Sequence, residues 1–538
     1  MHKRNILRQN YTLFSRPYQL KLPLEIGHVI PDDDCVRLLG QFVEELDLRD
    51  LYSTYSKVKE NQVSPRQMLK IMLYAYHEHN YSSRGIEKAC RRDINYMYLL
   101  EGRSAPDHAT IARFRSIHFA QVADKYLAMT VRYLMELGEI SGREIFIDGT
   151  KIEANANKYT FVWKKAVTKN QAKLLDKTAL LVQECIETYG LREIWRGKVK
   201  EKHLGKLLKR LYRIKDEEGI EFVHGSGCRK TQLQKHIELL EEYTERLKEY
   251  SRKLEVLGDR NSYSRTDPDA TFMRMKEDAM LNGQLKPAYN LQLGIDSGYI
   301  SWLMLSPRPT DTNTLIPFLT GMEATLRHRY PVVVADAGYE SEENYSFLED
   351  LGIFAMIKPT NYEISKKRSY KRDISRKENM PYNPDGDYYT CKRGCRLYAH
   401  GIHHKRSSSG YIRKVTVYQC YACHDCHHKS ECIKGKNWKT PEEARFKRLK
   451  VSRKFERQRK ECLERIMSDE GIRLRVNRSI QAEGAFALWK EDGAFRQFLC
   501  RGQANVYAES VLMAIAQNID NLHRRIQNGK LGMHLYEV

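Results

Sequence analysis

The sequence predicts a mixed α/β protein, α+β overall, in which a central sheet is interrupted by insertions. Short apolar runs alternate with helical periodicity between residues 140 and 360, whereas residues 1–136 are helical beyond an irregular arm at 1–35. A Lys- and Glu-rich helical stretch (165–257) and a cysteine-rich stretch (361–462) divide the alternating region. Because strands and helices that alternate pack as layers, we expect one sheet-based core that resumes at 463–525.

The N-terminal region is predicted to be a helical DNA-binding domain. Capping residues or proline mark its helix starts at Pro31–Asp34, Ser64-Pro65, Ser82 and Asp107. Arg113 and Arg115 lie on a short basic helix, an arrangement typical of helix-turn-helix units. We therefore predict DNA contact through these arginines, with a helical oligomerisation bundle as the alternative.

The predicted core begins and ends on short apolar strands. The strands are expected at 144–150, 289–295, 299–305, 331–336 and 353–357, with helices at 311–328 and 341–351. Asp296-Ser297-Gly298 joins the second and third strands and predicts a hairpin. Asp311 stands at the start of a helix and is predicted to cap it.

The charge balance indicates a polyanionic partner. Lys and Arg number 91 against 69 Asp and Glu, so the net charge is +22, and the mean hydropathy is −0.63. Nucleic acid attracts such a surface. We find no apolar run near the length of a membrane span and no secretory h-region, so a cytoplasmic protein that acts on DNA is expected.

Two aspartates occupy similar positions at strand ends. Asp148 follows Ile145-Phe146-Ile147 and precedes Gly149, and Asp336 follows Val332-Val333-Val334-Ala335 and precedes Ala337-Gly338. Ligand crevices form at such sheet edges, and paired carboxylates hold Mg²⁺ or Mn²⁺. If the strands are neighbours, we expect the two carboxylates to share cations; the alternative is two ordinary turn residues.

A third acid is expected from a helix. Glu483 lies between the small residues Ala482 and Gly484, so a metal or a DNA backbone can approach it. Lys490 lies seven residues on, about 10.5 Å along the same helix face, where it would contact phosphate. Arg478 and Lys151 are further candidate DNA contacts, and a solvent-facing Glu–Lys helix is the alternative.

Six of the 12 cysteines fall between residues 391 and 432. They are Cys391, Cys395, Cys420, Cys423, Cys426 and Cys432. Such local clustering in a long chain favours metal binding over a disulfide framework. Zn²⁺ is predicted, with the ligand set left open because His424, His427 and His428 lie nearby; a reduced, basic loop is the alternative.

The motifs taken together resemble the bacterial insertion-sequence transposases with a DDE triad, and more narrowly the family called IS eleven-eighty-two. The resemblance rests on FIDGTKIEANANKYTFVWKK, VVADAGYESEENY, Glu483 followed by six residues and Lys490, SPRQMLKIMLYAY, PDHATIARFR and LGDRNSYSRTDPDATFMRMKED. It implies an RNase H-like core with Asp148, Asp336 and Glu483 as metal ligands. It also implies hydrolytic nicking and strand transfer at element ends on double-stranded DNA, by a dimer or higher assembly.

One signature of the cut-and-paste branch, Tyr-x2-Arg-x3-Glu-x6-Lys, is only partly present. Position 476 is Val, and Arg478 is one residue too far from Glu483. An aspartyl phosphatase of the Asp-x-Asp-Gly-Thr type is excluded because position 146 is Phe. The alternatives that stay open are a zinc-containing DNA-binding protein with a decayed core and a structure-selective nuclease.

Overall fold

The computed structural model describes residues 27, 29–56, 62–192, 201–225, 229–275, 283–434, 440, 441 and 444–537. The chain divides into two compact units, one of residues 1–122 with 515–531 and one of residues 123–514 with 532–538. The predicted domain boundary at residue 136 therefore differs from this division, which places 123–136 with the second unit. The predicted N-terminal arm lies largely outside the described residues, as does Cys228.

The described part of the first unit is helical, as predicted. Its helices are α1 (Cys35–Glu45), α2 (Arg49–Ser53), α3 (Pro65–His77), α4 (Ser83–Cys90), α5 (Ile94–Leu100) and α6 (His108–Arg113), followed by a π-helical turn (Phe114–His118) and a 3-10 turn (Phe119–Gln121). Asp34, Ser64, Ser82 and Asp107 each accept a backbone N–H at a helix start. Their short polar side chains end the preceding loops in the way the sequence indicates.

The second unit begins with α7 (Ala123–Glu136) and contains a six-stranded mixed sheet. Its strands are β1 (Glu144–Glu153), β4 (Thr271–Arg274), β5 (Leu285–Asp296), β6 (Tyr299–Ser306), β7 (Val332–Ala335) and β8 (Phe354–Ile357). The order is β6-β5-β1-β7-β8, with β4 also paired to β5. β5 is antiparallel to β1, whereas β7 is parallel to β1 and β8 to β7. This arrangement is consistent with the predicted RNase H-like core.

The β5–β6 hairpin follows the predicted turn. Asp296 pairs with Tyr299, and the two residues between them, Ser297 and Gly298, have φ of 57° and 81°. Two positive φ angles match the right-handed twist of the flanking strands, and Gly tolerates this conformation without strain. Beyond the hairpin, α11 (Leu315–Leu326) and α12 (Glu342–Asp350) lead to β7 and β8 respectively.

The first insertion is helical, as predicted, and its three described helices share one core. Its helices are α8 (Lys164–Thr188), α9 (Glu201–Glu217) and α10 (Gln232–Leu257), and the short strands β2 (Phe161–Trp163) and β3 (Ser262–Ser264) pair at its base. Leucines such as Leu181, Leu207 and Leu240 pack together in its core. Residues 193–200 and 226–228 of this insertion lie outside the described residues.

The second insertion carries its own antiparallel sheet in the order β13-β12-β11-β10-β9. Its elements are α13 (Tyr362–Ser365), α14 (Arg368–Arg372), β9 (Tyr382–Asn383), β10 (Tyr388–Thr390), β11 (Arg396–Arg406), β12 (Ile412–Gln419), α15 (Lys429–Cys432) and β13 (Arg448–Val451). Tyr389, Leu397 and Tyr418 form part of its buried core.

The chain returns to the core on helices. They are α16 (Arg453–Met467), α17 (Asp469–Arg478), α18 (Gly484–Ala487) and α19 (Gln503–Gln527), with π-helical turns at Ser479–Glu483 and Leu488–Asp492. The thiol of Cys462 on α16 donates to the carbonyl oxygens of Ala355 and Ile357 on β8. α16 therefore already packs on the six-stranded sheet, ahead of the predicted return at residue 463. No helix among the described residues is long and apolar enough to cross a membrane.

Candidate active site

The strands that carry Asp148 and Asp336 are neighbours. β1 and β7 run parallel, and Ile147 is paired with Ala335. The residues that follow, Asp148 and Asp336, therefore lie side by side at one edge of the parallel pairing. The expectation that Asp148 ends its strand is wrong. β1 continues to Glu153 against β5, and only its pairing with β7 stops before Asp148.

The loop that follows Asp336 is held from two sides. The Asp336 carboxylate accepts the N–H of Gly338 at 2.8 Å, which starts a 3-10 turn. Glu340, with a side chain only 1% exposed, accepts two hydrogen bonds from the Arg459 guanidinium at 2.7 and 2.8 Å. This bidentate pair ties the loop to α16 and fixes where Asp336 stands.

Glu483 reaches the same edge from the π-helical turn. The Oε1 atom of Gln481 accepts the Gly298 N–H at 2.8 Å and so fastens this turn to the β5–β6 hairpin. Arg478 then links the two acids: its guanidinium lies 3.3 Å from Asp148 Oδ2 and 3.4 Å from Glu483 Oε1. The Asp148 side chain is 13% exposed and that of Glu483 is 63% exposed, so the site opens to solvent on the Glu483 side.

Asp311 is a fourth carboxylate of this region, and sequence reasoning missed it. The predicted capping role is wrong, because α11 has no side-chain cap. The Oδ1 atom of Asp311 instead accepts the side-chain N–H groups of Asn290 at 2.8 Å and of Gln292 at 2.9 Å, both on β5. An aspartate after Pro-Thr carries no pattern that separates these two roles, so only the strand arrangement shows the difference.

Two glycines allow these carboxylates to approach the backbone closely. A Cβ atom on Gly149 would stand 2.9 Å from Asp311 Oδ1 and 2.3 Å from the Gln292 amide nitrogen. A Cβ atom on Gly338 would stand 3.0 Å from Asp336 Oδ1 and 3.3 Å from Asp311 Oδ2. The glycines near both aspartates in the sequence therefore make room for the Asp311 carboxylate.

Tyr339 is a buried tyrosine whose pKa is affected by the charges of these acids. Burial raises the pKa of Tyr339 well above its usual value, and the charges of Asp311, Asp148 and Asp336 raise it further, whereas Arg478 lowers it. The phenol therefore stays protonated and donates to Oε1 of Gln292, the residue that also donates to Asp311. A buried network thus connects the acids to the centre of the sheet.

The chemistry of these donors fits a hard divalent cation, because carboxylate oxygens are the ligands that Mg²⁺ takes in proteins. Within the described residues, however, no group of three or more His, Cys, Asp or Glu side chains is arranged so that it could hold a metal ion. The guanidinium of Arg478 lies between Asp148 and Glu483 instead.

The predicted DNA-contacting cations occupy different environments. Lys490 is only 9% exposed, and Lys151 donates from Nζ to the carbonyl oxygen of Arg274 at 3.0 Å. In the first unit, Arg113 is exposed, whereas Arg115 is 4% exposed and donates to the carbonyl oxygen of Tyr81 at 2.8 Å. The position of Arg115 does not support DNA contact, because its guanidinium stabilises the interior of that unit.

The six clustered cysteines come together from two segments. The β10–β11 turn supplies Cys391 and Cys395, whose backbones form a tight loop through a 2.9 Å hydrogen bond from the Cys391 N–H. The others come from residues 420–432, and all but Cys395 line one cavity. The backbone N–H of Lys447 donates to the sulfur of Cys423 at 3.4 Å. All six thiols are free of disulfides.

Two family models match segments of this chain. Residues 390–523 match the model described as Transposase DDE domain, and residues 24–116 match the model described as Transposase domain (DUF772). Together the two matches support an insertion-sequence transposase. The first match contains Glu483 and the six cysteines, whereas Asp148 and Asp336 precede it. Neither the curated proteins nor the solved structures give a match.

Proposed function

We propose that this protein is a transposase that cleaves DNA at the ends of an insertion sequence and joins those ends to target DNA. The observation that carries the proposal is the adjacency of Asp148 and Asp336 on paired parallel strands, with Glu483 linked to Asp148 through Arg478. DDE transposases generally use divalent ions, and the family matches support this general activity. Assignment to the family called IS eleven-eighty-two is part of the proposal.

Asp148, Asp336 and Glu483 would hold Mg²⁺ or Mn²⁺, with Asp311 beside them. When bound, such ions activate the attacking water or 3′-hydroxyl and stabilise the charge on the leaving oxygen of an in-line displacement. The protein would orient these acids through the Glu340–Arg459 pair and the Gln481–Gly298 hydrogen bond. No nucleophilic side chain is required, because water supplies the attacking oxygen in the first proposed step and the freed 3′-hydroxyl of DNA supplies it in the second.

Arg478 would change partners when DNA enters. Its guanidinium is 17% exposed and is shared by two carboxylates at distances above 3.2 Å, longer than a strong bidentate pair. A scissile phosphate beside Asp148 would offer two oxygens to the planar guanidinium, as a carboxylate does. Arg478 would therefore bind phosphate once the acids bind cations. Lys151, Lys490 and Arg113 stand as weaker candidates for DNA contact.

Two alternatives predict other outcomes. A DNA-binding protein with a decayed core would have lost an acid of the triad, whereas all three are present and a fourth, Asp311, lies beside them. A structure-selective nuclease of the same fold would cleave DNA but join nothing. Because two element ends must be handled together, a transposase would act as a dimer or larger assembly on DNA of the bacterial nucleoid, in the cytoplasm.

The test is a gel assay of the purified full-length protein on labelled DNA that carries the flanking inverted repeats. Reactions contain Mg²⁺, Mn²⁺ or EDTA, with Asp336→Ala beside the wild type. We expect nicking at the repeat end that needs a divalent ion and disappears in the variant, while DNA binding persists. Binding without cleavage under any metal would contradict the enzymatic proposal.

For the cysteine-rich insertion we propose a structural zinc ion. Five of the cysteines line one cavity of about 20 Å³, and thiolates are the ligands of tetrahedral zinc, although among the described residues these side chains are not arranged as a metal site. The thiol of Cys423 donates to the carbonyl oxygen of Cys420 and that of Cys432 to Ile374. Zinc would replace these protons, and the Lys447 ammonium at this cluster would offset the charge of the thiolates.

A further inference from the structure

The outer half of the β11–β12 hairpin is an exposed, basic ribbon. We define the basic ribbon as residues 399–417, which follow the last pairing of β11 with β10 at Tyr398. Four consecutive residues of its β11 strand, His403–Arg406, are all exposed. Within the described chain, this part of β11 is paired with β12 alone, so its other edge is open.

Basic side chains on the ribbon lie opposite one another across the two strands. Lys405 is paired with Arg413, and His404 is paired with Lys414. The like charges of Lys405 and Arg413, directly opposite each other, destabilise the hairpin. Within the described residues neither Lys405 nor Arg406 forms an ion pair, and Arg413 reaches Glu342 only at 3.9 Å. An anionic partner would remove this repulsion.

The tip of the ribbon is anchored beside the candidate active site. Ser409 donates to Glu343 on α12 at 2.6 Å, and Asn313 donates to Ser408 at 3.4 Å. Asn313 is two residues beyond Asp311, the fourth acid of the site. A cavity of about 490 Å³ is lined by Asn313, Glu343 and Ser409, so one continuous surface connects the ribbon tip with the Asp311 loop.

We propose that the basic ribbon binds the phosphate backbone of the DNA whose scissile bond lies at Asp148, Asp336 and Glu483. A two-stranded β-ribbon fits a groove of duplex DNA, and side chains that alternate along a strand place charge on both of its faces. Lys405 and Arg406 thereby face the two sides of the groove. The inference rests on the proposed function, because it assigns a path to the substrate of that site.

The test compares two double variants with the same change in charge. Lys405→Glu with Arg406→Glu alters the ribbon, whereas Lys202→Glu with Lys206→Glu alters two exposed lysines of α9 in the helical insertion. Binding of the full-length protein to fluorescent inverted-repeat DNA is measured by anisotropy at several salt concentrations. Circular dichroism verifies that each variant is folded, and Lys405→Gln with Arg406→Gln serves as a milder change.

The proposal predicts that the glutamate variant of the ribbon binds at least ~10-fold more weakly, with a salt slope lower by about 2, because each lost phosphate contact lowers the slope by roughly one. The α9 variant is expected within about threefold of the wild type. If a folded ribbon variant keeps the DNA affinity and the salt slope of the wild type, the proposal that the ribbon binds DNA is overturned, whereas the proposed function is not. A wild-type protein that binds no DNA would overturn both this inference and the proposed function.

Discussion

The carboxylate site and the cysteine cluster differ in their exposure to solvent. Glu483 is largely exposed beside the nearly buried Asp148, whereas Cys420, Cys423 and Cys432 are buried. A catalytic centre must admit substrate and keep a coordination position open, whereas a structural site is closed by protein ligands. This difference in burial is what we expect if the carboxylates serve chemistry and the cysteines serve stability, as we propose.

The two sites also differ in how they handle charge without a metal. At the carboxylates, Arg478 supplies a cation between Asp148 and Glu483. At the cysteines, burial raises the pKa of Cys420 to about 12, so this thiol is neutral at physiological pH. We therefore expect a metal ion at the carboxylates to displace the Arg478 guanidinium, whereas zinc at the cysteines must displace thiol protons.

Asp148→Asn is expected to have the largest effect, on the carboxylate side of the comparison. Loss of this charge removes a proposed metal ligand, so end cleavage should fall by about 10³-fold or more, equivalent to ~4 kcal/mol of transition-state stabilisation. Cleavage rates under single-turnover conditions measure this loss. Thermal unfolding should stay close to that of the wild type, and a cleavage rate within tenfold of it would argue against Asp148 as a ligand.

Cys423→Ser tests the opposite side and should affect stability rather than chemistry. We expect the zinc content of the purified protein to fall from one ion per chain to near zero, with a melting temperature lower by ~5 °C or more. Elemental analysis and calorimetry measure both quantities. Cys185→Ser, at a buried cysteine of the helical insertion, is the matched control and should retain zinc. A wild-type protein without zinc would contradict the structural-site proposal.

Asp311→Asn should have an intermediate effect on cleavage. The variant keeps the size of the side chain but loses the charge beside Asp336, while its amide oxygen can still accept from Asn290 and Gln292. Outer partners of metal ligands typically contribute 10–100-fold, so we expect a loss of roughly this size together with a higher Mg²⁺ requirement. Cleavage rates measured over a range of Mg²⁺ concentrations test both effects. If neither the rate nor its Mg²⁺ dependence changes, Asp311 only packs beside the site.

Tyr339→Phe should have the smallest effect. The phenol donates to Gln292, which also accepts from Thr314 at 2.9 Å, so its loss leaves Gln292 satisfied. We expect the free energy of unfolding to fall by about 1 kcal/mol and cleavage to change less than about fivefold. Denaturant unfolding followed by the cleavage assay tests this. A large loss of activity with normal stability would mean that Tyr339 takes part in the chemistry directly.

Turns and helix starts could be predicted from the sequence, because their geometry depends on residues that are adjacent along the chain. The turn at Ser297 and Gly298 requires two positive φ angles, and the sequence there permits them. Ser64 begins α3 as expected, and the structure adds a capping box with Gln67. The two aspartates do lie side by side where the pairing of β1 with β7 ends, although β1 itself continues past Asp148 and the sequence left open whether the two strands are neighbours.

Contacts between distant segments could not be predicted in the same way. The hydrogen bonds of Asp311 come from a strand about twenty residues earlier in the chain, and nothing at Asp311 itself indicates them. Arg115 looks like a surface cation in sequence but is buried against Tyr81. Lys490 was placed by regular helix geometry, whereas the chain there contains two π-helical turns that shift the face of each following residue.

The measurement that tests the central claim most directly is strand transfer of a pre-cleaved end. The full-length protein is incubated with Mg²⁺, a plasmid target and labelled inverted-repeat DNA that already ends in a free 3′-hydroxyl. Our account predicts a covalent joint between this end and the plasmid, and its loss in Asp148→Asn. Cleavage of uncut ends without any joining of pre-cleaved ends would contradict a transposase and indicate a nuclease.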